Sequence, residues 1–418
     1  MDVAGRFSQL SAVFDQVAFL SLVAMCVVIP VESLTPLLAG RTFAWVLGVI
    51  AASSYLLSCI SMRQLPHVDW RLALAAAGWL AFGAGSMLWA TDVGAAFSRV
   101  QTLAQAMAFF FLVPAVLSTY RRFTRLVVAY ITSATVLSIV AVILAYVQDL
   151  KHAVLSEAQS PLHFGQALGV ALVMIPFLTD CALSWKARLA LFLCADVLSL
   201  AILLTGARGA WISLCCSMIG TIILTKGRGL NWRRVLVPVL AIGLQMFLIV
   251  HLGGLPSREW TTRRAVTVLN PVSVEGSSGR LEIWCVGWKM ALANPVVGVG
   301  LQNFPARFED YIEEAGFNQG YYLYPGRDAH SIYLSVFAEL GIVGLAIVGL
   351  FMLLVLRRAL AVWRHQGCSA GLLLTLLPLA YGAASTITYR KYFWFALALA
   401  ATLTLCNGSQ TENSRYLP

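Results

Sequence analysis

The chain has 418 residues, of which 59% are hydrophobic and only 11% are charged, and its formal net charge is +10. This composition, with a mean hydropathy of +0.79, excludes a soluble globular domain and predicts an all-α integral membrane protein. The basic residues are scattered among loops without a basic and aromatic patch, so the positive charge does not indicate nucleic-acid binding.

Twelve apolar runs have roughly the 17 to 25 residues that a helix needs to cross the hydrocarbon core of a membrane. They lie near residues 15–32, 42–60, 72–90, 101–119, 126–147, 164–180, 189–205, 210–225, 235–253, 331–355, 370–388 and 392–406. We therefore predict nine spans over residues 1–253, a loop over 254–330, and three spans with a short cytoplasmic tail over 331–418.

The distribution of Lys and Arg predicts the orientation of these spans. If the N-terminus is inside, the cytoplasmic loops hold more than twice as many basic residues as the opposite loops. An excess of basic residues is typical of the cytoplasmic side. The loop over 254–330 is therefore predicted to lie outside, which in a bacterial inner membrane is the periplasm.

Arg208 lies in the short outside turn Gly206-Ala-Arg-Gly between two predicted spans. A guanidinium confined in this way can clamp a phosphate through two parallel hydrogen bonds. The alternative is an arginine that extends to the lipid head groups. The smaller outside loop near residues 148–163 is expected to help form the same cavity.

Arg280 begins the most regular part of the long loop. Apolar residues recur at helical spacing from Leu281 to Leu292, with Ser278-Gly279 before them and Asn294-Pro295 after them. This pattern predicts a short amphipathic helix that lies on the membrane surface or caps the bundle. The alternative for Arg280 is a surface residue paired with Glu275 or Glu282.

No metal site or cofactor is expected from the sequence. Of nine cysteines only Cys285 lies in the outside loop, which excludes a disulfide framework there. Metal-ligand spacings such as Cys-x-x-Cys and His-Glu-x-x-His do not occur.

His330 follows Asp328-Ala at the start of a predicted span. The positive end of a helix dipole should lower the pKa of its imidazole, so that the neutral ring can take a proton from a hydroxyl. Asp328 either caps the helix or orients the imidazole. The alternative for His330 is an interfacial histidine that caps a helix or bonds to a carbonyl.

Two further charged positions belong to the same region. Glu339 lies within a predicted span, where charge is expensive and usually paired, and we expect it to pack against polar groups as a structural residue. The Arg390-Lys391 pair either extends the positive outside surface or anchors the last span. A base and two fixed cations, His330, Arg208 and Arg280, on one side of the membrane indicate chemistry on a phosphate-bearing lipid.

Four motifs between about residues 205 and 345 resemble those of the O-antigen ligase family. They are Arg208-Gly-x-Trp-x-x-Leu, Ser-Gly-Arg280-Leu-Glu-Ile-Trp, Asn294-Pro-x-x-Gly-x-Gly-x-x-Asn303-Phe and His330-Ser-x-x-Leu334-x-x-x-x-Glu339-x-Gly341. That family belongs to a superfamily that also contains O-antigen polymerases and bacterial O-oligosaccharyltransferases. The first 200 residues match only as generic spans.

The resemblance implies a multi-span, GT-C-like glycosyltransferase with a large helical periplasmic loop and a periplasmic active site. Such ligases transfer the O-antigen glycan from undecaprenyl diphosphate to a sugar hydroxyl of the lipid A-core oligosaccharide, among membrane lipids and without a metal. Carried over to matching positions, His330 is the base that activates the acceptor, and Arg208 and Arg280 bind the diphosphate. The expected supporting residues are Asp328, Asn303, Glu339 and Arg390.

Two other functions are compatible with the same residues. An O-antigen polymerase or protein O-oligosaccharyltransferase uses the same donor with another acceptor, although the chain length and the lack of a terminal soluble domain favour the ligase. A transporter of polyprenyl-linked glycans would use the arginines to bind phosphate and His330 to relay protons. Few ionisable residues in the spans and no internal repeat argue against transport.

Overall fold

The computed structural model describes residues 3–36, 42–66, 68–148, 150–179, 184–226, 245, 277 and 279–406. Within these residues the chain is helical and has no β-strand, which confirms the predicted all-α class. The helices, in chain order, are α1 (Val3–Val28), α2 (Phe43–Met62), α3 (Trp70–Gly85), α4 (Val93–Val116), α5 (Tyr120–Val147), α6 (Pro161–Thr179), α7 (Trp185–Leu204), α8 (Arg208–Thr225), α9 (Arg280–Ala293), α10 (Phe304–Arg307), α11 (Ile332–Gln366), α12 (Ala370–Ala383) and α13 (Lys391–Cys406).

Nine helices in the described part of the chain are long and apolar enough to cross a membrane. They are α1 to α8 and α11, while α12 and α13 are shorter apolar helices. Together they coincide with every predicted run except 235–253. Apart from residue 245 that run falls outside the described residues, as do loop residues 254–276 and the tail 407–418, so the division into three segments stays a prediction.

Polar caps begin many of these helices. A side-chain oxygen at each cap accepts a hydrogen bond from a backbone N–H of the first helical turn, which satisfies a donor that the helix itself leaves unpaired. The capping residues are Thr42, Asp69, Asp92, Thr119, Ser184 and Ser331.

Several helices have bounds that differ from the predicted runs, and two of these differences bear on the fold. Helix α11 continues to Gln366 instead of 355, and Arg358 in this extension forms an ion pair with Asp69 at the start of α3. Helix α12 stops at Ala383 instead of 388. Residues 384–390 form a connection to α13 instead. It ends in a turn, in which the backbone N–H of Arg390 donates to the carbonyl of Ile387 at 2.9 Å.

Helix α13 lies at the centre of the bundle. Its residues from Phe393 to Leu399 are fully buried, and it packs against α4, α11 and α12. The Trp394 ring contacts Trp79 and Phe351, each at a centroid distance of 5.9 Å. The residues that begin α13, Arg390 and Lys391 among them, are therefore held near the middle of one end of the bundle.

Helix α11 is kinked at Gly341, which has a φ of +63°. The loop over 295–300 replaces the hydrogen bonds that the helix loses there. The carbonyls of Ala338 and Glu339 accept from Val299 and Gly300 at 3.0 and 2.8 Å, and the carbonyl of Pro295 accepts from Ile342 at 2.9 Å. We call this arrangement the splint.

The splint requires glycine on both of its sides. A Cβ at Gly341 would lie 2.2 Å from the carbonyl oxygen of Val296, and one at Gly298 would lie 2.2 Å from the carbonyl carbon of Glu339. Both glycines also have positive φ, which other L-residues adopt at a cost. Two of the sequence motifs, around Asn294 and around Glu339, thus form one backbone unit.

Candidate active site

Helix α9 positions the segment that carries His330. Its first residue, Arg280, follows Gly279, which has a φ of +71°. Trp284, one turn later, donates from its indole Nε1 to the carbonyl of Ala329 at 3.2 Å. Residues four apart share one face of a helix, so the same contact brings Arg280 beside His330, and the two side chains interact electrostatically.

His330 adopts a left-handed backbone conformation with a φ of +49°. This conformation costs an L-residue on the order of 1–2 kcal/mol, and such strain is often concentrated at functional sites. The helix that follows is capped by Ser331, whose hydroxyl accepts from the backbone N–H of Leu334 at 3.5 Å. His330 therefore does not cap α11 itself.

The pKa of His330 is lowered below its ordinary value, as predicted, but the main cause differs. Burial of the imidazole is the largest cause, and the positive charges of Arg280 and Arg327 add to it. The carboxylate of Asp328 acts in the opposite direction and raises the pKa. At neutral pH the ring is predominantly neutral, so it can accept a proton.

Asp328 does not cap the helix, which was one of the two roles considered for it. Its Oδ1 accepts a hydrogen bond from the backbone N–H of Ala329 at 2.9 Å. This contact shapes the turn in front of His330, and the carboxylate charge acts on the imidazole.

Arg208 is the first residue of α8, and only 9% of its surface is exposed. The turn before it contains Gly206, with a φ of +65°. His152 fixes this turn through a 2.7 Å hydrogen bond between its Nδ1 and the carbonyl of Thr205. A buried guanidinium together with the N-terminus of a helix is an arrangement that suits the binding of an anion.

The start of α6 links the Arg208 turn to His330. Leu162 and Gly165 pack against Gly209 and Thr205, respectively. His163, between them, interacts electrostatically with both Arg390 and His330. The structure thus gathers Arg208, Arg280, His330 and Arg390 at one end of the bundle, while their chemical roles stay predictions.

Asn303 and Glu339 support this arrangement through the scaffold. Asn303 is fully buried, and its side chain exchanges hydrogen bonds with the backbone of Asp92, at 2.6 Å to the N–H and 3.2 Å to the carbonyl. Glu339 Oε2 accepts from the backbone N–H of Gln302 at 2.8 Å. These contacts give Glu339 the structural position that was predicted for it.

Arg99 is a basic residue whose place near the site was not predicted. Its Nε donates to Gln302 Oε1 at 2.5 Å, and its guanidinium carbon lies 4.7 Å from the centroid of the Tyr389 ring. Arg390 lies at the same distance, 4.7 Å, from that ring. Two guanidinium groups therefore share one tyrosine ring at the start of α13.

Two cavities adjoin these cations. The first, of about 420 Å³, is lined by Arg99, Gln302 and Glu339 together with Ser335, Thr386, Thr388 and apolar side chains. The second, of about 710 Å³, lies between α1, α2, α4 and α13, is mainly apolar, and has Tyr389 and Lys391 among its lining residues. Lys391 forms an ion pair with Glu32 there. Apolar space beside basic groups suits an anionic lipid.

Residues 189–349 match the family model described as O-Antigen ligase. The match supports assignment of the chain to the O-antigen ligase family, and it confirms the resemblance predicted from the motifs. It also supports glycan-transfer activity of the ligase or polymerase type in a multi-pass membrane protein. No curated protein matches the chain.

Proposed function

We propose that this member of the O-antigen ligase family transfers an O-antigen glycan from undecaprenyl diphosphate to a sugar hydroxyl of the lipid A-core oligosaccharide. The reaction takes place at the periplasmic face of a bacterial inner membrane. The observation that carries the proposal is the position of Arg280 close enough to His330 for its charge to help lower the pKa of the imidazole, which leaves the ring able to act as a base. Arg208, buried at a helix N-terminus, adds a second cation for the diphosphate.

The proposed reaction is a direct displacement at the anomeric carbon of the donor. The acceptor oxygen forms a bond to that carbon as its proton passes to His330, and the bond between the carbon and the diphosphate oxygen breaks. Negative charge develops on the leaving undecaprenyl diphosphate, and Arg208 and Arg280 stabilise it in a water-poor site. Because the arginines supply this stabilisation, we expect no metal requirement, and a single displacement inverts the anomeric configuration.

The apolar cavity beside Tyr389 and Lys391 supports a lipid-linked substrate. Its walls are mainly apolar, and basic residues lie at the start of α13. A polyprenyl or acyl chain gains free energy from such apolar surroundings, while its phosphate remains beside fixed cations.

Transfer in vitro tests the proposed function. Purified protein is mixed with undecaprenyl-diphosphate glycan and lipid A-core in the presence of EDTA and without nucleotide. Formation of lipopolysaccharide with an inverted linkage is the expected result. Elongated donor would identify a polymerase, and movement of lipid between vesicle leaflets without any covalent product would identify a transporter. Retention of configuration would require a covalent intermediate instead of direct displacement.

Replacing Arg280 with Ala should lower kcat about 10²–10³-fold, since one fixed donor to the developing charge is lost. Arg280→Lys should recover only part of this loss, because an ammonium lacks the planar fork of the guanidinium. The matched control is Arg307→Ala in the same loop, where Arg307 pairs with Asp310 at 2.5 Å on the surface. Equal activities of Arg280→Ala and Arg307→Ala would show that Arg280 does not stabilise the leaving diphosphate.

The pH dependence of transfer should reflect His330. The neutral imidazole is the active form, so kcat/KM should rise with pH and level off above the lowered pKa of His330, below the ordinary value of about 6.5. Asp328→Asn removes the charge that raises this pKa and should move the acid limb to lower pH. Arg327→Gln removes a charge that lowers the pKa and should move the limb to higher pH. Shifts in the opposite directions would contradict the role of His330 as the base.

A further inference from the structure

His163 is a titratable residue beside the site to which the proposed displacement gives no role. It lies in the first turn of α6 and is partly exposed. Leu162 packs against Gly209, next to Arg208. The imidazole ring itself interacts electrostatically with Arg390 and His330. His163 thus lies near the proposed base, and its neighbour Leu162 lies beside the turn that carries Arg208.

The hydrogen bonds of His163 define which ring nitrogen carries the proton. Its Nδ1 lies 2.9 Å from the hydroxyl oxygen of Tyr392. That hydroxyl donates its only proton to Gln166 Oε1, so it accepts from the histidine, whose ring also hydrogen-bonds to the Gln166 side chain. Tyr392 and Gln166 are both buried, which protects this arrangement from competing water. In a neutral ring Nδ1 therefore carries the proton, and Nε2 carries a lone pair.

A lone pair among basic residues has a distinct binding preference. Arginines offer only donors and suit phosphate oxygens, whereas an unprotonated Nε2 offers only an acceptor. Phosphate oxygens cannot donate to it, but a sugar hydroxyl can. We propose that His163 is a sugar-binding residue, whose Nε2 accepts a hydrogen bond from a hydroxyl of the donor or acceptor glycan. This inference rests on the proposed glycan transfer.

The test compares His163→Ala, His163→Gln and Tyr392→Phe with wild type in the transfer assay, with KM and kcat measured separately for donor and acceptor. His163→Ala should lower kcat/KM about tenfold through loss of one hydrogen bond. His163→Gln keeps an acceptor and should recover part of the loss. Tyr392→Phe no longer fixes the tautomer and should cost about threefold. A rise in KM for one substrate identifies which glycan is bound.

A binding measurement separates sugar recognition from other roles. Affinity for glycan-free undecaprenyl diphosphate should not change in His163→Ala. Equal weakening of this ligand would make His163 part of the phosphate site and overturn the inference, as would wild-type kinetics in His163→Ala. The control is His365→Ala at the exposed far end of α11, which should behave as wild type.

The two proposals fail in different ways. Transfer that survives in His330→Ala overturns the proposed function itself. Transfer that is lost in His330→Ala but unaffected by His163→Ala overturns only the inference about His163. If His163→Ala does not elute as a single folded species in detergent, His163→Gln and Tyr392→Phe decide the question by the same measurements.

Discussion

Replacement of His330 by Ala should lower kcat for glycan transfer by about 10²–10⁴-fold, the usual contribution of a positioned general base. The imidazole is neutral because it is buried beside Arg280 and Arg327, and its backbone is held in a left-handed turn. The nearby carboxylate of Asp328 has its Oδ1 engaged with the backbone N–H of Ala329 at 2.9 Å. Transfer is measured with purified protein at saturating donor and acceptor.

The prediction holds only if His330→Ala loses the chemical step of transfer while it still binds the substrates. His330→Ala should still bind undecaprenyl diphosphate, because the proposed ligands of the diphosphate are Arg208 and Arg280. His330→Gln should be as inactive as His330→Ala, since an amide keeps the hydrogen-bonding shape but cannot take a proton. The control His365→Ala changes an exposed histidine at the far end of α11, the helix that follows His330, and should retain activity. A His330→Gln enzyme with wild-type kcat would contradict general-base catalysis.

Replacement of Gly341 by Ala should destabilise the protein by about 2–5 kcal/mol and abolish transfer. The new methyl group would lie 2.2 Å from the carbonyl oxygen of Val296, and the residue would keep a φ of +63° only under strain. The half of α11 before the kink carries Glu339 and is adjacent to His330, so loss of the splint should displace both. Thermal unfolding in detergent and the transfer assay measure the two effects.

Gly349→Ala is the matched control for this change. Gly349 lies in the same helix, and a Cβ there would have no atom within 4 Å. Alanine is favoured over glycine inside a helix by up to about 1 kcal/mol, so this variant should be as stable as wild type or slightly more stable. If Gly341→Ala unfolds at the same temperature as Gly349→Ala, the splint does not hold the kink together.

The sequence predicted the local features of the fold well. Long apolar runs gave the positions of the spans, because a helix must satisfy its own backbone hydrogen bonds in lipid. The helix over Arg280–Ala293 was predicted from apolar spacing and its flanking Gly279 and Asn294. Helix ends were less accurate: α12 ends at Ala383 because a turn before Arg390 takes over, and apolar composition does not reveal that turn.

The candidate site was predicted in part. Arg208, Arg280 and His330 stand in recognisable motifs, and each lies at the start of a helix or directly before one. The position of Glu339 inside an apolar span predicted that it packs against polar groups, and it accepts a hydrogen bond from the backbone N–H of Gln302. The sequence did not indicate why the motifs around Asn294 and Glu339 occur together, since the splint forms between backbone atoms that are distant along the chain.

The amino-acid sequence by itself determined the membrane class, the spans and the chemically suited residues, because these depend on local apolar length and short motifs. Only the tertiary structure decided which residues meet. His163 and Tyr392 are 229 positions apart, and Arg99 and Gln302 are 203 apart. Helices in a membrane are apolar on both their lipid-facing and their packed sides, so apolar periodicity cannot give the rotation of each helix. Packing fixes that rotation, and with it the surroundings of His330 and His163.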